Sequence, residues 1–544
     1  MKSGRLTIWL LSLLSAVLLS LPWLVDGSGF LALVAFLPLL CADRLADTLK
    51  YRRFGLCQFC CFVLWNAATT FWVCNATVGG GIFAIVANAF QMSLVWEIFR
   101  FSKRCLGGAL PYVFLAAMWI AWERRYFFVD ISWPWLTLGN AFGRSTHLVQ
   151  WYEFTGTLGG SLWIWLANLS LFLLLNGALA GLWKAWNKVA RIGAVLFALL
   201  TLFLPPVASL LIWNGFSPRS EAKLKTLIVQ PNFDPYEKFG SLSQSRQTDI
   251  FISQLESALD GRDPQEQLLI LGPETFCQDV ITNNIYQSPT LRTFRQSLYA
   301  HPGASLLVGA ASWTTYSRRS APSILARDLG GGNWGESHNS AVILDTSSTV
   351  GIYHKSKLVV GTELTPYPKI FVPLDNALSR LMGVNTLLAR NVGQSERSLL
   401  YAAQGSAPLG CAICYESIYG EFCTEYVRKG ARAMTVITND AWWGDTPGYR
   451  QHLSYACLRA IELRRDIARC GNTGISCFID QRGRIVSQTP WWERCTLEGE
   501  LNLSSYQTFF VRHGDVVGRV CTLLFLLIAM LLVAGLFKGG RKES

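Results

Sequence analysis

The chain has 544 residues, of which 51% are hydrophobic and only 15% charged, with 21 tryptophans and a formal net charge of +12. Hydrophobicity this high argues against a wholly soluble protein. The excess of Lys and Arg is what the cytoplasmic loops of a membrane protein supply, and with no basic-aromatic RNA-binding pattern and no zinc-spaced CxxC pair, nucleic acid is not an expected partner.

Long apolar runs fill residues 6–40, 54–99, 106–121, 158–183, 192–213 and 519–537. A helix needs about 20 residues to cross a hydrocarbon core about 30 Å thick. LPWLVDGSG (21–29) interrupts the first run and CNATVGGG (74–81) the second, so each reads as two spans. One span from each remaining run predicts about eight transmembrane helices, the shortest near 108–121. Lys2 and Arg5 precede the first run as in a signal peptide, but the apolar pattern resumes at once with no small-residue cleavage site. The segment is expected to stay in the membrane.

Basic residues cluster at Lys2/Arg5, Arg44–Arg53, Arg100–Arg104, Lys184–Arg191 and Lys538–Lys542. Eight spans put all these clusters on one side, which the positive-inside rule makes cytoplasmic; Arg124 and Arg125 are the exception. Residues 221–510 are then expected outside the cytoplasmic membrane, between an N-terminal helical region (1–220) and a final span with a basic tail (511–544).

From about 221 the composition becomes that of a soluble α/β domain. Runs at 225–231, 267–274, 305–312, 408–416 and 433–440 suit buried strands, and 243–259 and 451–469 read as helices. Segments 338–359 and 474–486 read as hairpins turning near Ser347–Ser348 and Arg482–Gly483. Parallel strands mixed with antiparallel pairs are expected, which a purely doubly wound sheet lacks. Segment 373–390 has apolar residues at helical spacing (Leu374, Leu378, Leu381, Met382, Leu388) and reads equally as a lid dipping into lipid or a packed surface helix.

The 15 cysteines are an odd number, so at least one thiol lacks an intramolecular partner. Cys41, Cys57, Cys60, Cys61 and Cys105 lie in or beside apolar spans, where they pack. Cys411 and Cys414 have redox CxxC spacing, but on a strand residues three apart face opposite ways, which argues against a disulfide. Ligands of open α/β sheets bind outside the carboxyl ends of strands, and Glu274 and Cys414 end strand-like runs while Lys355 follows a hairpin. Taken singly they read as a turn carboxylate, a solvated lysine beside Lys357 and a packed thiol. No metal cluster, phosphate-cradling loop or dinucleotide fingerprint stands out, so no cofactor is inferred.

Together, GPET around Glu274, YHKSKLV around Lys355 and CYES around Cys414 resemble the Glu-Lys-Cys sites of the nitrilase superfamily. Such a domain between seven spans and a final one resembles the bacterial apolipoprotein N-acyltransferases. VQPNFDPYEKF (229–239), NDAWWGD (439–445), QH with RAIELRR (451–465) and GNTG (471–474) extend the match over nearly the whole chain. The resemblance implies an αββα sandwich beside a helical membrane bundle, in the bacterial inner membrane with the catalytic domain facing the periplasm. It implies transfer of an acyl chain from a phospholipid to the α-amine of a diacylglyceryl-modified apolipoprotein. Cys414 would carry a thioester, Glu274 act as general base and Lys355 stabilise thiolate and oxyanion. Glu363, Tyr415 and Glu416 match supporting positions; Phe239, Trp442 and Trp443 are candidate substrate contacts. Two departures stand out: VVGTE replaces the usual Pro-Phe-Gly-Glu, retaining Glu363, and Phe239 replaces a tryptophan. The rival readings are a membrane-tethered amidase, disfavoured by the number of spans, and an inactive scaffold, disfavoured by retention of all three residues.

Overall fold

A computed structural model describes residues 2–540 apart from 180–182, 184–185, 348 and 383–387. Outside the described residues lie Lys184, the end of the last basic cluster, Ser348 of the predicted hairpin turn and the middle of 373–390.

Among the described residues each apolar run is largely helical. Six described helices are long and apolar enough to cross a membrane: Ser3–Leu24, Ser28–Thr48, Val78–Cys105, Thr157–Ala178, Lys188–Gly215 and Val516–Gly535. Phe54–Thr70 is a shorter apolar helix, and Leu110–Tyr126, also of 17 residues, ends in Arg124 and Arg125. Their outer faces present Leu10, Leu13, Phe83, Phe90, Leu211 and Leu531 to the surroundings, a surface that suits hydrocarbon rather than water. Their inner faces meet in an aromatic core. Phe36 stacks on Trp165 with centroids 4.4 Å apart, and Trp65, Trp96 and Trp119 surround it. The second span breaks at Phe36, where Asn168 Oδ1 accepts the Phe36 and Leu37 N–H groups. Those donors are freed by the break, and a buried amide satisfies them.

Between Tyr126 and Thr157 the chain folds back as short helical turns, Pro134–Leu136, Leu138–Phe142 and Thr146–Leu148. Gly139 lets this segment touch the next helix, since a Cβ there would lie 1.9 Å from Thr157 O.

The described strands are β1 (Ala222–Gln230), β2 (Leu268–Leu271), β3 (Cys277–Ile281), β4 (Ala304–Ser317), β5 (Arg327–Gly330), β6 (Asn333–Leu344), β7 (Val350–His354), β8 (Leu400–Ala402), β9 (Ala407–Ile413), β10 (Ala433–Thr438), β11 (Ile467–Gly471), β12 (Cys477–Ile479), β13 (Ile485–Gln488) and β14 (Cys495–Leu503). One sheet runs β14-β1-β2-β4-β6-β5, with β3 on β4 and β7 on β6; the other runs β13-β12-β11-β10-β9-β8. Each has a parallel centre, β1-β2-β4 and β9-β10-β11, flanked by antiparallel strands. Alternation along the strands makes the layers. Leu227 and Val229 pack outward on Phe251, Leu255 and Phe294 of helices Gln244–Leu259 and Pro289–Leu298, whereas Ile228 joins the cluster of Leu409, Cys411 and Ile413 from the facing sheet. Helices Gly420–Arg428 and Pro447–Leu463 pack on the second sheet. The result is the four-layered αββα sandwich.

Two boundaries differ from expectation. The strand read at 408–416 ends at Ile413; Cys414 has φ +50° and opens a 3₁₀ turn, Cys414–Ile418. Cys414, Tyr415 and Glu416 therefore do not alternate across a strand. The helix read at 451–469 stops at Leu463, where Arg464 adopts φ +48°, and Ile467–Gly471 joins the sheet beside β10. Arg464 is fixed there by Glu153, Gln150 and the Gln481 carbonyl, partners from distant sequence that no local pattern reveals.

Candidate active site

Glu274, Lys355 and Cys414 follow β2, β7 and β9 and line one cavity of about 750 Å³. Glu274 follows β2, and its approach depends on Gly309 of β4, where a Cβ would lie 2.5 Å from Glu274 Cα. Lys355 follows β7, with its N–H on Asn339 O at 2.7 Å. Its Nζ lies 3.0 Å from Glu274 Oε1 and 2.9 Å from Glu363 Oε2. Asn339 Nδ2 donates to both carboxylates, at 2.8 Å to Glu274 and 2.6 Å to Glu363. Glu363 also accepts the Val359 N–H, so the VVGTE loop keeps its carboxylate on the lysine.

Glu416 ties the lysine loop to the cysteine turn. Its carboxylate accepts from Ser356 N at 2.6 Å, Tyr353 Oη at 2.6 Å and Ile413 N at 2.8 Å. Tyr415 reaches the other way, donating to Ser132 O at 2.8 Å and stacking on Trp133. Lys238 is buried and donates to Glu274 O at 3.0 Å. Burial pulls its ammonium down to about 8 against the opposing pull of Glu274.

Behind Cys414 stand Asp440 and His452, with potential ligand atoms of all three within 4.8 Å of one another. The trio has the residue types of a Cys-His-Asp triad. Its hydrogen bonds point to another role: His452 Nδ1 meets Asp440 at 3.0 Å, and Nε2 meets the Cys414 carbonyl at 3.0 Å and Ser417 Oγ at 3.1 Å. The ring thus holds the backbone of the strained turn. Asp440 also accepts from Arg469. Burial opposes the Asp440 charge, but His452 and Arg469 hold the carboxyl down at about 2.

The electrostatics set protonation states. Burial pushes the Cys414 thiol well above its usual range, Glu274 adds to this, and Lys355 offsets only part. Burial opposes the Lys355 charge as well, yet Glu274 and Glu363 hold its ammonium well above the usual range. The resting site is therefore a neutral thiol beside an ammonium shared by two carboxylates. Lys355 favours the thiolate, but burial and Glu274 outweigh it.

The cavity wall opposite is membrane helix. Trp72, Thr77, Gly80 and Phe83 line it along with Trp133 and Trp135. Trp443 packs on Trp72 at 4.5 Å between centroids, and Phe239 stacks on Trp442 at 5.9 Å. Ser132, Trp133, Trp135, Lys238 and Asn339 were not singled out from sequence. Lys238 lies in the VQPNFDPYEKF motif; the others carry no motif of their own, and the folded-back 127–151 segment and strand register bring them here.

The profile of carbon-nitrogen hydrolases matches residues 269–509, which the fold and the Glu-Lys-Cys arrangement make a nitrilase-superfamily domain. The profile of the apolipoprotein N-acyltransferase N-terminal domain matches residues 15–170. Relatives named apolipoprotein N-acyltransferase include one from Chlorobaculum tepidum, 28% identical with 94% of each chain covered, and one from Geobacter metallireducens, 27% identical with 94% of this chain and 93% of that one. Among solved structures, Saccharomyces cerevisiae Nit3 is 15% identical, with 55% of this chain and 95% of that chain covered and a TM-score of 0.35. The chain belongs to the apolipoprotein N-acyltransferase family, a membrane protein family whose substrates are lipids and lipoproteins.

Proposed function

We propose that the protein moves an acyl chain from a phospholipid to the α-amine of an apolipoprotein's N-terminal diacylglyceryl-cysteine, through a thioester on Cys414. The observation that carries this reading is the shared cavity: Glu274, Lys355 and Cys414 face membrane-helix residues across one space. A lipid ester reaches the thiol there without its tails being drawn into water, at about 0.8 kcal/mol per exposed CH₂. Residues 1–220 and 511–544 form the membrane part, with 221–510 on the periplasmic side of the inner membrane.

In the first step Sγ of Cys414 attacks the ester carbonyl while Glu274 takes the thiol proton. Neutralising Glu274 removes one of the two carboxylates from Lys355. The ammonium then faces Glu363 and the new oxyanion, so stabilising charge is released as it is needed. The C–O bond breaks, Glu274 returns its proton to the leaving alcohol, and a lysophospholipid departs. In the second step the acceptor amine attacks the thioester carbonyl and Glu274 takes its proton. The C–S bond breaks, and that proton restores the thiol. Glu363 and Asn339 hold Lys355 and Glu274, Glu416 and Tyr415 hold the turn, and Phe239, Trp442 and Trp443 contact substrate.

Incubation with acyl-labelled phospholipid and a diacylglyceryl-cysteine peptide tests this. Labelled N-acyl peptide is expected. Labelled free acid at the same rate with or without the peptide would replace transferase by hydrolase.

A further inference from the structure

The cavity contains a second cation that the acyl-transfer steps do not use. Arg327, first residue of β5, lines it together with Lys355. The two differ in one respect. Lys355 is held by two carboxylates, whereas the Arg327 side chain makes no hydrogen bond or ion pair among the described residues, and its Nε is buried without a partner. Burial and nearby Arg390 work against its charge, and Asp375, which favours it, makes its ion pair with Arg390 instead. A guanidinium offers five N–H donors in a planar fork that matches phosphate oxygens.

Register locates it. Arg327 pairs with Gly335 on β6, Trp313 pairs with Ser337, and Ala311 with Asn339, which holds Glu274 and Glu363. Gly335, Ser337 and Asn339 share one sheet face by the two-residue repeat. The Arg327 guanidinium lies over the Trp313 ring, 5.7 Å from its centroid. It therefore sits over the register position two residues from Asn339, a rise of about 7 Å. In a glycerophospholipid five or six bonds separate the ester carbonyl from phosphorus, about 7 Å when extended.

We infer that Arg327 binds the phosphodiester of the acyl donor while the donor's ester carbonyl lies at Cys414, making it a specificity residue for phosphate-bearing lipids. The inference rests on the phospholipid-donor reading above. Neither the diacylglyceryl-cysteine acceptor nor the thioester contains phosphate, so Arg327 serves the first half-reaction.

The test compares two donors with the same acyl esters in detergent micelles: dipalmitoyl phosphatidylethanolamine and dipalmitoylglycerol. Acyl-enzyme is followed by intact mass in single turnover for the full-length parent, Arg327→Gln and Arg327→Lys. In Arg327→Gln the half-saturating phospholipid concentration should rise about tenfold to a hundredfold relative to that for diacylglycerol, the scale of a lost charge-assisted contact. Arg327→Lys, which keeps the charge but not the fork, should recover part of this ratio. An unchanged ratio in Arg327→Gln, or a ratio unchanged in the folded Lys variant when the Gln variant does not fold, overturns the inference alone. A parent that forms no acyl-enzyme from either donor removes the donor reading, and this inference with it.

Discussion

Cys414 is held in a demanding state. Its backbone has φ +50°, a region that costs a non-glycine residue about 1–3 kcal/mol, and its carbonyl is fixed by His452 and Ser417. Burial and Glu274 together raise its thiol well above the usual range. The sign is clear: a raised thiol pKa means less thiolate at neutral pH. Alkylation of Cys414 by iodoacetamide should be slow at pH 7.5 and still rising beyond pH 9, above the usual thiol value of about 8.5. Mass mapping across pH, with exposed Cys105 as internal reference, measures this. A Cys414 profile that levels off below pH 8 would mean a resting thiolate, and the proton transfer assigned to Glu274 would be unnecessary.

At the scale of elements, the Pro447–Leu463 helix is where the two halves are joined. Arg459 donates to Ile418 O of the cysteine turn at 2.6 Å and to Thr157 Oγ1 of the membrane helix at 2.6 Å, while Glu462 accepts the Thr157 N–H at 2.8 Å. Trp135 packs on Tyr455 from the membrane side. Nearly every residue of the helix is buried, whereas a helix on a free domain would expose a polar face. A fragment of residues 221–510 should therefore aggregate when expressed alone. Size exclusion checks this, and a monomer with a cooperative thermal transition would contradict it. These joints also show how far the sequence could be read. Short apolar runs located β1, β4 and β10, and motif order located Glu274, Lys355 and Cys414. The end of this helix and the turn at Cys414 were misplaced, because Glu153, Gln150, His452 and Asp440 set them from far away in the chain. Asn339 and Arg327 were invisible for a related reason: their positions follow from β6 pairing, not from any local pattern.

For the whole molecule, the proposed topology has both termini in the cytoplasm. A reporter active only outside the cytoplasm should work when fused after residue 218 and fail after residue 541; the reverse result would mean the spans are miscounted, most simply around Leu110–Tyr126. Within that frame, one cavity holds the thiol and also opens against the helices. In the proposed cycle that arrangement makes the two lipids rivals for one berth. An acceptor that arrives before the cysteine is loaded finds nothing to collect and keeps the donor out, and a spent lysolipid that lingers keeps the acceptor out. Turnover then slows at high acceptor supply and recovers when donor is added. In the proposed cycle, the abundance of ordinary membrane lipid keeps the cysteine loaded and waiting.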